Sequence, residues 1–351
     1  MSKLKHLPGT AAVGALVLLG LAGCSPDAPA APKTGAFAYV TNEGSDDLTI
    51  VDVAKQRVTG KIPVGKRPRG IAASPDGRFL YVALSGSPVA GPGVDEATLP
   101  PADKAADGVA VVDVATSRIL RVLRGISDPE QIAVSPDGAR LYVASEDTGQ
   151  LVVIDPASGG VRARVAVGGE PEGVHASPDG KLVYVTSEEK NELVVVDAAG
   201  LKVIARIPVG KRPRSALFAA DGRTAYVSGE NDATVAAIDV ATSKIASVAH
   251  LTGKDAKPMG LAVAPDGKAL FVTTGRGGLL VRLDTGTMQP TATLAVGKRP
   301  WGVALTADGR TLVTANGPSN DVSLVDAATM KLVARLPSTE RPWGVTTITK
   351  R

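Results

Sequence analysis

The chain has 351 residues, 44% of them hydrophobic, with 39 Gly and 25 Pro but only two Trp, five Tyr and four Phe. That length suits one large domain or two ordinary ones, and abundant Val, Gly, Asp and Pro predicts short strands and tight turns rather than helices. The formal charge is +4, and two of those positive charges, Lys3 and Lys5, stand at the extreme N-terminus. A balance this close to neutrality excludes a polyanion grip spread over the whole surface, so any such activity must come from local clustering.

In chain order, residues 1–23 come first: a basic start, MSKLKHLPGT, then the apolar run AAVGALVLLGLAG. That run is too short to span a bilayer as a helix. It ends in Leu21-Ala22-Gly23-Cys24, which resembles a bacterial lipobox. The resemblance implies cleavage before Cys24, acylation of that residue and an anchor in the lipid bilayer. Cys24 is the only cysteine, so no disulfide forms within one chain. Ser25 follows it, and in Gram-negative sorting signals the absence of Asp at that place implies the outer membrane rather than the inner one. Residues 24–35 continue as a Pro/Ala tether with nothing to bury.

From residue 36 the chain is repetitive. A hydrophobic-Asp pair recurs at Asp52, Asp113, Asp155, Asp197, Asp239, Asp284 and Asp326, spaced 61, 42, 42, 42, 45 and 42 apart. Asp-Gly recurs with the same spacings, at 76–77, 137–138, 179–180, 221–222, 266–267 and 308–309. Each Asp-Gly separates two apolar runs, which is a hairpin signal with Gly supplying a positive φ. These aspartates are read as turn formers without chemistry. Each unit of about 42 residues holds four strand-like runs, such as EQIAVS, RLYVAS, QLVVID and VRARVAV within 130–167. Four short strands per repeat predict an all-β fold, the β-propeller.

The runs YVTN (39–42), YVAL (81–84), YVAS (142–145), YVTS (184–187), YVSG (226–229) and FVTT (271–274) resemble the YVTN repeat family. The likeness covers essentially residues 36–349, and it implies fold more than function. The C-terminus supplies one inner strand, WGVTTIT (343–349), and the N-terminus three outer ones, near 36–41, 48–53 and 58–64. One blade shared between the ends makes seven blades in residues 36–351 and leaves no free edge.

A basic phrase, VGKRPRG at 64–70, returns as VGKRPRS at 209–215 and VGKRPWG at 296–302. Its slot falls between the outermost strand of one blade and the innermost strand of the next, at one mouth of the central channel. The aligned tripeptides are Arg67-Pro68-Arg69, Asp128-Pro129-Glu130, Glu170-Pro171-Glu172, Arg212-Pro213-Arg214, Lys257-Pro258-Met259, Arg299-Pro300-Trp301 and Arg341-Pro342-Trp343. Proline in all seven is structural. The flanking residues divide by sector: five adjacent blades carry Arg, Lys, Trp or Met, and two carry four carboxylates. Two readings stand side by side. One is a solvated basic rim balanced by Glu43, Glu146, Glu188 and Glu230; at an exposed rim two cations 8 Å apart repel by only about 0.5 kcal/mol. The other is a ligand mouth formed by Arg67, Arg69, Arg212, Arg214, Arg299, Trp301, Arg341 and Trp343. There the two tryptophans either pack on arginines or offer a stacking plate. An insertion at 86–107, rich in Pro, Gly and acid, is placed on the same face, either as a partial cover or as a tolerated surface loop.

No HExxH, CxxCH, phosphate loop or nucleophile elbow occurs, and neither a metal nor a cofactor is expected. His175 aligns with Ala72, Ala133, Ala262 and Ala304 on inner strands. Some seven-bladed relatives resemble lactone hydrolases or haem- and quinone-cofactor dehydrogenases. A lactonase would want carboxylate, Arg and His together, for which the candidates are Glu172, Arg214 and His175. The expectation is therefore an envelope-anchored monomeric propeller. Its mouth would bind an anionic or flat ligand or a partner protein of the envelope. A propeller enzyme is one alternative, and single-stranded nucleic acid, with arginines on phosphates and tryptophans under bases, is another.

Overall fold

The computed structural model describes Met1, residues 35–89, Asp95 and residues 98–350. The leader, Cys24, nearly all of the tether and part of the insertion lie outside the described residues. Residues 34–351 form one compact unit. It contains seven sheets of four antiparallel strands, and every strand finds its partners inside it. The fold is a seven-bladed β-propeller.

Blades 1 to 6 occupy residues 68–123, 129–166, 171–208, 213–250, 261–295 and 300–337. The seventh is assembled from both ends. Its inner strand, Pro342–Lys350, pairs antiparallel with Gly35–Asn42, and Asp47–Asp52 and Arg57–Pro63 follow outward. Phe37 faces Ile348 and Val40 faces Val345 in that closing ladder. The expected shared blade is therefore present, and the ring is tied by hydrogen bonds rather than left as an open edge.

Alternation along the strands drives the packing. Seven apolar clusters fill the seven gaps between neighbouring blades. One joins Tyr39, Leu48 and Ile50 to Leu80 and Val82; another joins Tyr184, Leu193 and Val195 to Val227 and Ile238. Tyr39, Tyr142, Tyr184 and Phe271 are fully buried, and burial of such a side chain contributes about 1.5–3 kcal/mol. The outer strands lie half in solvent, as the pattern of Arg57–Pro63 shows.

The repeated aspartates behave as read. Gly77, Gly138, Gly180, Gly222, Gly267 and Gly309 all have φ near +70°. Asp76 accepts from the Ser74 hydroxyl at 2.6 Å and from the Arg78 amide at 3.1 Å; the Ser74 bond is the main cause that holds its carboxyl below the usual range. The second series turns the third strand into the fourth: Asp113, Asp239, Asp284 and Asp326 each accept from a Thr amide three residues on, at 2.7–2.8 Å.

Inner strands crowd the axis. A Cβ on Gly302 would stand 2.7 Å from the Trp343 carbonyl oxygen, and one on Gly344 would stand 2.5 Å from that of Arg69. Glycine there lets adjacent blades approach backbone to backbone. Hydroxyls of the YVTN-like runs clasp the same seam. Thr41 Oγ1 donates to the Arg69 carbonyl at 2.7 Å and accepts from the Gly344 amide at 2.8 Å. Thr273 Oγ1 does likewise for Trp301 and Gly260, at 2.6 and 3.0 Å.

Candidate functional site at the channel mouth

Each inner strand starts at or just after the proline of the Arg-Pro slot, where two local distortions aim the flanking side chains. The residue before proline has a positive φ in six blades: Arg67 (42°), Asp128 (44°), Glu170 (50°), Arg212 (54°), Arg299 (50°) and Arg341 (56°). That region is unfavourable for a side chain other than Gly or Asn. Preceding Asp and Asn side chains secure it by accepting the amide of Arg67 (Asp46, 2.9 Å), Arg212 (Asn191, 2.8 Å) or Arg341 (Asn320, 2.9 Å). After the proline the register slips, as between Pro68 and Ile71, Pro171 and Val174, or Pro300 and Val303. A bulge re-aims a side chain, and here the residue after proline turns toward the axis.

The side chains that follow proline meet as neighbours around the ring. Arg69 forms a close ion pair with Glu130 and reaches Glu172 at 3.8 Å. Arg214 donates to Glu172 at 3.1 Å, to Glu230 at 2.7 Å and, still closer, to Glu188. Trp301 and Trp343 stack with centroids 5.6 Å apart. The Arg69 guanidinium lies 4.8 Å over Trp343, and those of Arg299 and Arg214 lie 4.8 and 5.4 Å from Trp301. Glu172, Arg214, Met259, Trp301 and Trp343 line a neck of only about 40 Å³. The channel is plugged at this level, so the mouth is a cup with a floor.

The cup encloses about 1010 Å³. All eight residues assigned to a ligand mouth line it, as do Glu172, Asp128 and Glu146. The insertion forms part of the wall through Ser87, Pro88, Val89 and residues 99–102. Its base is fastened on both flanks, by Lys66 to Asp103 at 2.6 Å and by Lys104 to Asp147 at 2.5 Å. In the outer tier Arg67 lies 3.7 Å from Glu43, Arg341 3.0 Å from Glu43 and Arg212 2.7 Å from Glu188. Arg299 has no carboxylate within 4 Å among the described residues.

The electrostatics follow from burial. Burial works against the charge of Arg214, but Glu172, Glu188 and Glu230 more than restore it, and its pKa is raised. Burial also pushes Glu230 up, and the Arg214 charge outweighs that and holds it below the ordinary value. For Glu188, burial and the Glu172 charge prevail and lift the carboxyl to about 8. Burial lifts Glu146 to about 7. Arg299 is lowered by burial and by the nearby Arg276 charge. Asp128, Glu130 and Glu146 bring carboxylate oxygens within 4.8 Å of one another, a spacing that suits a cation; Arg69 already supplies positive charge to two of them.

Three expectations need correction. The rim is not uniformly solvated: the side chains of Arg69 and Arg214 are each only 7% exposed, because the bulge turns them inward among carboxylates. Trp343 is 3% exposed, so it packs under Arg69 and against Trp301 and offers no stacking plate. The candidate trio also does not converge. Glu172 and Arg214 are paired, whereas His175 lines a separate chamber of about 430 Å³ beyond the neck, with Ile132, Val174 and Leu217. Its Nδ1 accepts from the Phe218 amide at 3.4 Å, and burial pushes it down to about 4, so it is neutral. Glu130 was seen only as part of an acidic sector. Its position one blade from Arg69 was the signal that the two would meet.

Fold and site together define a seven-bladed propeller with a plugged channel and a charged cup over the plug. The chain belongs to the choice-of-anchor I domain family, whose model matches residues 35–218. A second family model, of seven-bladed β-propeller lactonases, matches residues 198–342. No curated protein sequence matches the chain. Among solved structures, hydrazine synthase of Kuenenia stuttgartiensis is similar over 81% of this chain and 95% of that one, at 20% identity and a TM-score of 0.68. The dihydro-heme d1 dehydrogenase NirN, solved in complex with DHE, is similar over 92% and 77%, at 18% identity and 0.63. A Bacteroides fragilis protein with a provisional 6-phosphogluconolactonase label is similar over 92% and 100%, at 17% identity and 0.70. Likenesses at these identities concern the fold.

Proposed function

We propose that this protein is a binding propeller of the bacterial cell envelope, of YVTN type and anchored in the outer membrane through an acylated Cys24. Its cup takes a ligand, free or carried on a partner protein, through an anionic group. The observation that carries this reading is Arg299. Five of the six arginines lining the cup have a carboxylate within 4.0 Å. Arg299 has none, is half-buried, lies over Trp301, and feels the Glu230 and Glu43 charges only from a longer range. A half-buried guanidinium with no carboxylate close by is left free to pair with a bound anion through a charge-assisted hydrogen bond.

The chain supplies its own reporter. Its only tryptophans, Trp301 and Trp343, both line the cup. Titrating residues 34–351 with acetate, phosphate and sulfate should change tryptophan emission for at least one anion, and Arg299→Gln should abolish that change. No response to any anion in the intact protein sinks the proposal.

The match to lactonase propellers supports an enzymatic alternative, because it spans Arg212, Arg214, Arg299, Trp301 and Arg341. Glu172 and His175 fall outside the matched segment. Turnover of a simple lactone that is lost in Glu172→Gln would favour that alternative over binding. A cofactor-dependent dehydrogenase rests on the NirN likeness alone. The single-stranded nucleic-acid reading has less support, since six carboxylates line the cup beside the six arginines and a polyanion would meet both signs.

A further inference from the structure

The cup has two unlike walls. Arg299, Trp301 and Arg341 stand on the connections into blades 6 and 7. The insertion leaves blade 1, the neighbour of blade 7, is tied to Asp147 of blade 2, and lines the same cup. Of its described residues, those that line the cavity are apolar apart from Ser87: Pro88, Val89, Leu99, Pro100, Pro101 and Ala102. None of its described charged residues lines the cavity. Asp103 and Lys104 are engaged on its flanks, and Asp107 accepts the Gly86 amide at 2.6 Å. Nor do the tryptophans leave a face for a flat ring, since each is covered by the other and by arginines. Glu170, also without an ion partner, is exposed and needs none in water.

Resting on the anion reading above, we infer that the ligand is a monocarboxylate on a flexible apolar body. The head pairs with Arg299 and the body lies along Val89, Leu99 and Pro100. One uncompensated guanidinium matches one negative charge. A cavity of about 1010 Å³ stands at the upper end of the range that holds drug-sized ligands, far more than a bare anion fills.

The test is calorimetric titration of residues 34–351 with acetate, butyrate, hexanoate and octanoate, and with octanol as the uncharged control. Affinity should tighten about two- to fourfold per added methylene, with octanol at least roughly tenfold weaker than octanoate. Val89→Ser/Leu99→Ser should flatten the chain-length series and keep the affinity for acetate. Arg299→Gln should lose the whole series, with Arg299→Lys retaining part of it and thermal midpoints showing that each variant is folded. If acetate and octanoate bind equally, or the double variant keeps the slope, the apolar body is wrong while the anion reading stands. If octanol matches octanoate, or Arg299→Gln binds normally, the carboxylate assignment is wrong. If no carboxylate, phosphate or sulfate binds, the anion reading fails and takes this inference with it.

Discussion

Arg214→Met removes the guanidinium on which three carboxylates converge and keeps most of the side-chain volume. In the native ring that guanidinium meets Glu230 at 2.7 Å, Glu172 at 3.1 Å and Glu188 closer still, on a side chain only 7% exposed. Removing one partner of a buried ion pair costs about 3–5 kcal/mol, because the remaining charge stays buried without compensation. For a ring of roughly 300 residues that is a fall of about 5–8 °C in thermal midpoint at pH 7. The pH dependence has a definite sign. Without Arg214 the burial that pushes Glu188 and Glu230 up loses its main opposition, so the folded chain binds protons that the unfolded chain does not. Stability is then lost as pH rises, and the deficit against the native protein should shrink between pH 8 and pH 5. Calorimetric midpoints across that range, with circular dichroism to confirm strand content, make the assay. A midpoint within about 1.5 °C of native at pH 7, or a deficit that ignores pH, would refute the view that this network is buried and mutually neutralising.

Three further outcomes follow from the same seams. Gly302→Ala places a Cβ 2.7 Å from the Trp343 carbonyl and should cost about 1–3 kcal/mol, whereas Gly286→Ala, on an exposed turn with its nearest atom at 3.5 Å, should be near neutral in the same melt. Thr273→Val removes the hydroxyl that bridges the Trp301 carbonyl and the Gly260 amide and leaves those two groups their direct bond of 3.1 Å. It should cost about 0.5–1.5 kcal/mol and shift tryptophan emission, since the lost bond is to the Trp301 carbonyl. His175 is held neutral with a pKa of about 4, below its unfolded value. Its contribution is therefore present above about pH 6.5 and lost as pH falls toward 4. The midpoint advantage of the native protein over His175→Ala should shrink by roughly 2–3 °C between pH 7.5 and pH 5.

The ring was legible because its signals are local. Asp-Gly marks each hairpin, hydrophobic-Asp marks the turn into each outer strand, and both recur with one spacing. The closing blade follows from counting strands at the two ends. Burial at the mouth was not legible in the same way, because it depends on contacts between blades. Arg214 and Glu172 are 42 residues apart, and Arg69 and Glu130 are 61 apart; nothing local in either segment says that a bulge will turn both inward. Seen slot by slot, Glu130 and Glu172 formed an acidic sector and the arginines a basic one. Placed on consecutive blades, the order Arg69, Glu130, Glu172, Arg214 puts each charge beside its complement at one height on the axis.

That order changes what the conspicuous Lys-Arg-Pro-Arg phrase does. Its second arginine, as Arg69 or Arg214, is consumed in closing the channel, and the first, as Arg67 or Arg212, is met by Glu43, Glu188 or Glu230. In the third copy Trp301 replaces the second arginine and no carboxylate stands beside the first. The copy that departs from the repeat is thus the one whose charge is left for something else, and the insertion lines the same cup. In a fold built by repetition, the stabilising network occupies the positions where neighbouring copies complement one another. A binding site is best sought where that complementarity lapses, and in this ring it lapses at Arg299.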